Sequence, residues 1–411
     1  MSEITRKMEA PVGRKIPADY PLFALMLIIL ALGLFMVFDA SYAQASQSGI
    51  THHDPAYFFK LQSLWALIGM AALIFAMRMR YWKLARYGGH AMAFGILLLV
   101  LVMAPHLGVH SHGAARWLKL GPIRMQPSEI AKICVVLYLA SFISRRQRSI
   151  QRLETGVMGA LFPVLIAAAL IIKQPDLGTA LTLVATAMVM LAIGGAKLKH
   201  LAAISLLGFT LVAMMAWSHP YSRLRLQSFV SGSAGDRTYS YQANQSLKAL
   251  ESGGVHGIGP GEGDAKFFHL PAPYTDSIAT TLGEEFGLIG SLVLIGLFFL
   301  FTLRGCHIAH QCRNAYGKLL ASGLCAMITI QALLNLAVIT RSVPETGVPL
   351  PMVSFGGSSL VLVMFAIGLI LSVSRWPDLC SIEFSPADAG SSRTYVRRPL
   401  RMESTRRNGA L

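Results

Sequence analysis

Residues 21–40 have the sequence PLFALMLIILALGLFMVFDA, an apolar stretch of 20 residues that decides the fold class. An α-helix of about 20 residues crosses the hydrocarbon core of a bilayer, which is ~30 Å thick. A composition of 54% hydrophobic and 14% charged residues excludes a soluble globular, coiled-coil or disordered protein. The sequence predicts an all-α integral membrane protein with ten transmembrane helices, the other nine at 61–77, 88–104, 127–143, 155–172, 178–195, 200–217, 278–303, 319–340 and 350–374.

The distribution of basic residues predicts the orientation of these helices. With the N-terminus inside, 24 of the 36 Lys and Arg residues fall on the cytoplasmic side and 11 on the opposite side, while Lys132 lies within a helix. Both termini are therefore predicted to be cytoplasmic, because connections rich in Lys and Arg remain on that side. The formal net charge of +16 then reflects membrane topology rather than nucleic-acid binding.

The polar segments suggest three parts: a cytoplasmic N-terminal tail at 1–20, a membrane domain at 21–375 and a basic cytoplasmic C-terminal tail at 376–411. The longest connection, 218–277, is predicted to be a large extracytoplasmic loop between helices seven and eight. Within it, SYQANQSLKALESGG (240–254) predicts a short amphipathic helix that ends at its two final glycines. The following glycine-rich stretch, GVHGIGPGEGD (254–264), matches neither the P-loop nor the G-x-G-x-x-G spacing of nucleotide-binding loops.

Ionisable residues inside membrane helices are costly and are therefore candidates for function. Glu129 and Lys132 lie three residues apart in the fourth helix and share one helical face. They could form a buried ion pair that fixes the helix, or they could face a polar cavity and hold an anionic group. Asp176 is expected to cap the sixth helix. Glu284 and Glu285 begin the eighth helix, where the helix dipole stabilises carboxylates.

Asp276 is the strongest candidate for acid–base chemistry. It follows Pro271 and Pro273 in LPAPYTD (270–276), immediately before the eighth helix. A carboxylate held at the outer face of the membrane suits a general base that acts on a lipid-linked substrate. Capping of the eighth helix explains the same position equally well when the residues alone are considered.

Five motifs occur in the order typical of one family. They are GAARWLKLGPIRMQPSEIAK (113–132), KQPDLGTA (173–180), YQANQSLKALESGGVHGIGPGEG (241–263), LPAPYTDSIATTLGEEFG (270–287) and TGVPLPMVSFGGSS (346–359). With these motifs the chain resembles the SEDS family of bacterial cell-wall proteins, which includes FtsW, RodA and SpoVE, over nearly all of 20–375. The spelling G-E-E-F-G and the long tails favour the FtsW branch, and hence septal synthesis during division.

The resemblance implies a multi-pass protein of the bacterial cytoplasmic membrane that polymerises lipid II into glycan strands at the outer face. Its partners would be a class B penicillin-binding protein transpeptidase and other divisome proteins. The essential aspartate of the family matches Asp276, its Q-P-S-E-x-x-K pair matches Glu129 and Lys132, and its arginine before a tryptophan matches Arg116.

A mechanism follows as a hypothesis from the residues and the resemblance together. Asp276 takes the proton from the 4-hydroxyl of the acceptor sugar, whose oxygen attacks the anomeric carbon of the donor, and undecaprenyl diphosphate leaves with inversion. Paired hydrogen bonds suit arginine to diphosphate, and the basic candidates for this role are Arg116, Arg223, Arg225 and Lys248. No cofactor is evident, and no ligand cluster demands a metal, although a divalent cation is compatible with the diphosphate.

The segment around Asp276 departs from the family pattern L-P-E-x-H-T-D-F. Ala272 stands in place of the glutamate, Tyr274 in place of the histidine and Ser277 in place of the phenylalanine. Three other interpretations remain open: a lipid II flippase that performs no chemistry, a structural scaffold of the division or elongation machinery, and a RodA-like elongation polymerase. A flippase has no evident need of a base at Asp276, so polymerisation by the purified protein in detergent distinguishes the polymerase from the flippase.

Overall fold

The computed structural model describes residues 16–47, 49–104, 108–111, 114–120, 123–218, 241–268, 272–344 and 346–377. The predicted N-terminal tail and C-terminal tail therefore lie largely outside the described residues, as do Arg223 and Arg225. Helices dominate the described part, and its α-helices in chain order are α1 (Tyr20–Gln47), α2 (Tyr57–Arg78), α3 (Tyr81–Leu84), α4 (Gly88–Leu101), α5 (Pro127–Arg145), α6 (Gly159–Lys173), α7 (Leu177–Ile193), α8 (Leu198–Ser218), α9 (Tyr241–Gly253), α10 (Ala265–Phe268), α11 (Ile278–Gln311), α12 (Ala315–Ile339) and α13 (Gly357–Ser374).

Length and apolarity make the protein a multi-pass membrane protein. Among the described residues, eight helical segments are long and apolar enough to cross a membrane: Tyr20–Gln47, Tyr57–Arg78, Tyr81–Leu101, Pro127–Arg145, Leu153–Lys173, Ile278–Gln311, Ala315–Ile339 and Gly357–Ser374. They coincide with eight of the ten predicted helices. The other two predictions, 178–195 and 200–217, fall on α7 and α8, whose apolar portions Leu177–Ile193 and Leu198–Gly208 are shorter.

A small antiparallel sheet departs from the all-α prediction. Strands β1 (Gly108–Ser111), β2 (Ala114–Leu120) and β3 (Ile123–Met125) pair in the order β1-β2-β3. They lie in the connection between α4 and α5. Three strands of three to seven residues are too short to show a reliable alternation of apolar and polar residues. Their ladder satisfies backbone groups that a loose connection would leave to water.

The predicted amphipathic helix is confirmed as α9. The glycine-rich segment after it forms backbone hydrogen bonds with α11 around a break in that helix. Gly287 has a φ of 64° and interrupts the helical geometry of α11. The amides of Ile258 and Gly259 donate to the carbonyls of Glu284 and Glu285, each at 3.1 Å. In the other direction, the Leu288 amide donates to the Gly254 carbonyl at 3.0 Å. The segment thus satisfies backbone groups that the break in α11 would otherwise leave unpaired.

Close packing between α2 and α13 illustrates how the bundle is held together. A Cβ atom at Gly368 would collide with the Leu73 carbonyl oxygen and would lie 2.8 Å from Ala76 Cβ. Only a residue without a side chain permits this approach. Small residues serve this purpose in membranes, where helices associate through van der Waals contact rather than through the hydrophobic effect.

Candidate active site

Asp276 lies at the junction where the connection from α10 enters α11. Ser277 begins the helix, and its carbonyl accepts the Thr280 amide at 2.9 Å. The Asp276 carboxylate does not cap the helix, since Ser277 is the capping residue, and Ser277 makes no side-chain capping bond. Instead, the Thr275 hydroxyl lies 3.0 Å from Asp276 Oδ1 and 2.8 Å from the Ala272 carbonyl, and these two acceptors share its one proton. The side chain is partly exposed, so the carboxylate is both oriented and accessible.

A second segment approaches the other carboxylate oxygen. Asp276 Oδ2 lies 4.0 Å from the position of a Cβ built on Gly347, which has a φ of 65°. Gly347 belongs to the sequence TGVPLP between α12 and α13. A larger residue here would be strained by its left-handed backbone and would narrow the space beside the carboxylate. The two family-like motifs 270–287 and 346–359, distant in sequence, therefore meet at Asp276.

An aromatic cluster supports this meeting point from one side. The Tyr274 ring lies 4.3 Å from Phe58 of α2 and 5.6 Å from Phe355, measured between ring centroids. The Phe355 amide donates to the Tyr274 carbonyl at 2.9 Å. Burial raises the pKa of the Tyr274 hydroxyl above its usual range, so this residue is neutral at physiological pH. The tyrosine in place of the family histidine is thus a packing residue for the loop.

Glu129 and Lys132 form a buried ion pair, with 2.8 Å between Lys132 Nζ and Glu129 Oε1 and side chains 3–4% exposed. Each partner has a further contact on another helix. The Ser359 hydroxyl of α13 donates to Glu129 Oε2 at 3.0 Å, and Lys132 donates to Gln331 Oε1 of α12 at 2.7 Å. These bonds offset the desolvation of both charges and join three helices, as expected of a buried pair that fixes the helix.

The network continues from α12 to the loop beside Asp276. Gln331 Nε2 donates to the Pro349 carbonyl at 3.0 Å. One helical turn later, Asn335 Nδ2 donates to the carbonyls of Asp276 and Val348, both at 2.8 Å. The intramembrane ion pair is therefore linked, through two amides on one face of α12, to the segment that contains Gly347 and to Asp276 itself. Sequence reasoning missed both amides because neither is ionisable.

Asp176 caps α7, as the sequence predicts. Its Oδ1 accepts the Thr179 amide at 3.1 Å, and its Oδ2 accepts Gln126 Nε2 at 3.1 Å. Arg116 lies next to this cap, where its Nε donates to the Gln174 carbonyl at 2.8 Å and its terminal nitrogen donates to the Pro175 carbonyl. A cation at the end of α6 is favourable because exposed carbonyls carry partial negative charge there.

Replacing Asp176 with alanine should lower the free energy of unfolding by about 0.5–2 kcal/mol, because the first turn of α7 loses its capping oxygen. Thermal unfolding of the purified protein in detergent measures this effect. Asp176→Asn keeps an acceptor oxygen and should lose less. Equal losses in the two variants would contradict a capping role.

Glu284 and Glu285 are buried, but they do not simply complement the start of a helix. Glu284 Oε1 accepts the amides of Asp264 and Ala265, each at 3.2 Å, and so caps α10. Glu285 Oε1 accepts Lys266 Nζ at 2.6 Å, and the same ammonium lies 2.8 Å from Asp39 Oδ1 of α1. The Lys266 side chain is only 2% exposed. An ionic triad of Asp39, Lys266 and Glu285 therefore anchors α10 between α1 and α11.

Of the remaining predicted site residues, the structure describes Lys248. Lys248 is exposed on α9, and it pairs with no acidic side chain in the described part of the chain. Asp39 was not singled out from the sequence, although a single carboxylate near the end of an apolar helix is a recognisable signal. In the described ranges, no group of three or more His, Cys, Asp or Glu side chains is arranged to hold a metal ion.

Comparisons with known proteins agree on one family. Residues 20–378 match the family model FTSW_RODA_SPOVE, described as "Cell cycle protein". The "Stage V sporulation protein E" of Bacillus subtilis is 37% identical over 363 residues, which cover 88% of this chain and 98% of that protein. The "Probable peptidoglycan glycosyltransferase FtsW" of Trichlorobacter lovleyi is 35% identical over 359 residues, covering 87% and 93% respectively.

Solved structures show the same fold. A chain from the study "Structural coordination of polymerization and crosslinking by a peptidoglycan synthase complex" superposes with a TM-score of 0.72 at 27% identity, over 87% of this chain and 98% of that one. The Thermus thermophilus rod shape determining protein RodA superposes with a TM-score of 0.64 at 26% identity, over 87% and 97%. The chain therefore has the helical arrangement of these proteins.

Proposed function

The chain belongs to the FtsW/RodA/SpoVE family of cell cycle proteins, and on that premise we propose that it is a peptidoglycan glycosyltransferase. It polymerises lipid II into glycan strands during septal cell-wall synthesis. The observation that supports this activity is the position of Asp276. Its side chain is partly exposed, and its Oδ1 lies 3.0 Å from the Thr275 hydroxyl, which orients it. A general base requires this combination of fixed orientation and access to the proton that it removes.

The proposed reaction follows from that position. Asp276 takes the proton of the acceptor sugar's 4-hydroxyl. As it does so, the hydroxyl oxygen attacks the anomeric carbon of the donor. The bond from that carbon to the diphosphate breaks, and undecaprenyl diphosphate leaves with inversion. Two hydrogen bonds to carbonyls hold Arg116, and its other N–H groups remain suited to an anionic oxygen. Lys248, Arg223 and Arg225 are the further candidates for the diphosphate.

Glu129 and Lys132 have a supporting role in this proposal. Their charges neutralise each other, and their remaining contacts lead to Ser359 and Gln331 rather than to a free surface. We therefore assign the pair to holding α5, α12 and α13 in register around the site. The same polar pair would serve a flippase, which is the second outcome that an experiment must distinguish.

The proposed topology has ten transmembrane helices in the bacterial cytoplasmic membrane, with both termini in the cytoplasm. The connection between α8 and α11 then lies on the outer side, together with Asp276. A class B penicillin-binding protein transpeptidase is the proposed partner, along with other divisome proteins. The similarity to a chain of a peptidoglycan synthase complex supports this partnership.

Polymerisation of lipid II by the purified protein in detergent tests the proposed function. The assay is run with the protein alone and with its transpeptidase partner, and glycan chains are resolved by gel electrophoresis. Glycan chains in either sample are the expected result, because detergent leaves no second compartment for translocation. Translocation of lipid II in vesicles without any polymer in detergent would instead establish a flippase.

A further inference from the structure

We propose that Asn335 is a positioning residue for the glycosyl transfer, which fixes the Asp276 peptide and the Gly347–Val348 segment relative to each other. The inference rests on the proposed function and deepens it. Asn335 lies on α12, is 2% exposed and contacts neither Asp276 carboxylate oxygen in the described contacts. It would therefore act through the backbone rather than on the substrate.

The hydrogen bonds of Asn335 define the orientation of its amide. Both bonds, to the carbonyls of Asp276 and Val348, are donated by Nδ2 at 2.8 Å. An amide turned the other way would place its own oxygen against two carbonyl oxygens, so chemistry permits one orientation only. The two N–H groups of this amide are thereby both used, each on a different segment of the site.

The oxygen of the same amide indicates that the arrangement is specific. Asn335 Oδ1 is buried and has no hydrogen-bond partner among the residues that the structure describes. A buried acceptor without a partner costs about 1–3 kcal/mol. An aliphatic side chain would avoid that cost, so the value of asparagine at this position lies in its two donations. Both donations are directed at the segments that enclose the carboxylate.

Fixing the Asp276 carbonyl also fixes the backbone from which the carboxylate projects. The helical hydrogen bonds of α11 begin at the Ser277 carbonyl, one residue after Asp276. The Asp276 carbonyl instead accepts its hydrogen bond from Asn335 Nδ2. Thr275 orients Oδ1, and Gly347 lies beside Oδ2. Because Asn335 also holds the Val348 carbonyl, one amide controls how far Asp276 and Gly347 are separated. A shift of 1 Å in a catalytic group can cost about 10²-fold in rate.

Two substitutions test this role. Asn335→Leu keeps the number and branching of the side-chain heavy atoms and removes both donors, while Asn335→Ser is smaller and cannot make both bonds. We expect kcat for lipid II polymerisation to fall about 10²-fold. The KM should stay within about threefold of the wild-type value, because substrate contacts are retained. If Asn335→Leu does not fold, Asn335→Ser is judged by the same criterion.

Gln62→Leu is the matched control. Gln62 is another buried amide, and its Nε2 donates to the Ser354 carbonyl at 3.2 Å while its Oε1 accepts the Gly356 amide at 3.3 Å. It holds the same connection between α12 and α13 without contacting Asp276. Its loss should lower the unfolding midpoint by a similar amount and reduce kcat much less than the loss of Asn335.

The outcomes separate this inference from the proposed function. If the wild type polymerises lipid II and a folded Asn335 variant keeps a kcat within about threefold of it, the inference is overturned while the function stands. A fall in kcat for Gln62→Leu as large as that for Asn335→Leu also overturns it, since both would then be general packing effects. A wild type that makes no polymer with its partner overturns the function and this inference together.

Discussion

Purified Asp276→Asn protein should fold normally and polymerise lipid II at least about 10²-fold more slowly than the wild type, because the amide cannot take the acceptor proton. The substitution keeps the shape of the side chain. An oxygen remains to accept the Thr275 hydroxyl, and the bond from Asn335 goes to the backbone carbonyl, which is unchanged. Polymer formation over time, measured with saturating lipid II and the transpeptidase partner, gives the rate.

The control for this variant is Glu262→Gln, which neutralises an exposed carboxylate in the glycine-rich segment before the site. It should polymerise lipid II at the wild-type rate, since removal of one surface charge affects neither the proton transfer nor the site's geometry. Near-normal polymerisation by Asp276→Asn would remove the general base from the mechanism. A loss of both activity and lipid II binding would indicate a binding role for Asp276 instead.

Lys266→Met should produce the second large effect, a loss of about 3–5 kcal/mol in the free energy of unfolding. Removing the ammonium leaves the buried Glu285 carboxylate and the partly buried Asp39 carboxylate without their counter-ion. The same change removes the ionic tie of α10, which leads towards Asp276, to α1 and leaves the Glu284 cap as its tie to α11. Polymerisation should therefore fall together with the thermal unfolding midpoint, and the segment around α10 should become more sensitive to proteolysis.

Two further variants separate burial from charge in this prediction. Lys60→Met removes an ion pair of similar length, 2.7 Å to Asp54, but Lys60 is 67% exposed, and exposed pairs contribute about 0–1 kcal/mol. The triple variant Asp39→Asn, Lys266→Met, Glu285→Gln removes all three charges together and should recover part of the lost stability. A loss as small for Lys266→Met as for Lys60→Met would contradict the structural importance of the triad.

Local features of the chain were sufficient for much of the fold. The length and apolarity of each stretch predict the membrane helices because a bilayer imposes a minimum span and leaves no other way to satisfy the backbone. The cap at Asp176 and the helix α9 were predictable for a similar reason. Each depends on residues within a few positions in sequence, such as Asp176 and Thr179.

The small sheet and the fit of the glycine-rich segment against α11 were not predictable in this way. Both depend on backbone hydrogen bonds between separate segments, such as the bond from Leu288 to Gly254. The sequence shows that residues 254–264 are rich in glycine, but it does not show the carbonyls that those glycines approach. The resemblance to a family identifies the glycine-rich stretch as a motif. The structure shows why glycines are needed there, because the stretch packs against the backbone of α11.

The sequence by itself determined that this is a membrane protein of several spans, which residues are its candidate ionisable groups, and that Asp276 directly precedes a helix. Only the tertiary structure decided which side chains act together, and some of these the sequence does not mark as candidates. Asn335 and Asp276 are 59 residues apart, and Lys266 and Asp39 are 227 apart. Hydrogen bonds and ion pairs act over about 3 Å in space, so partners so distant in sequence are recognisable only once the chain has folded.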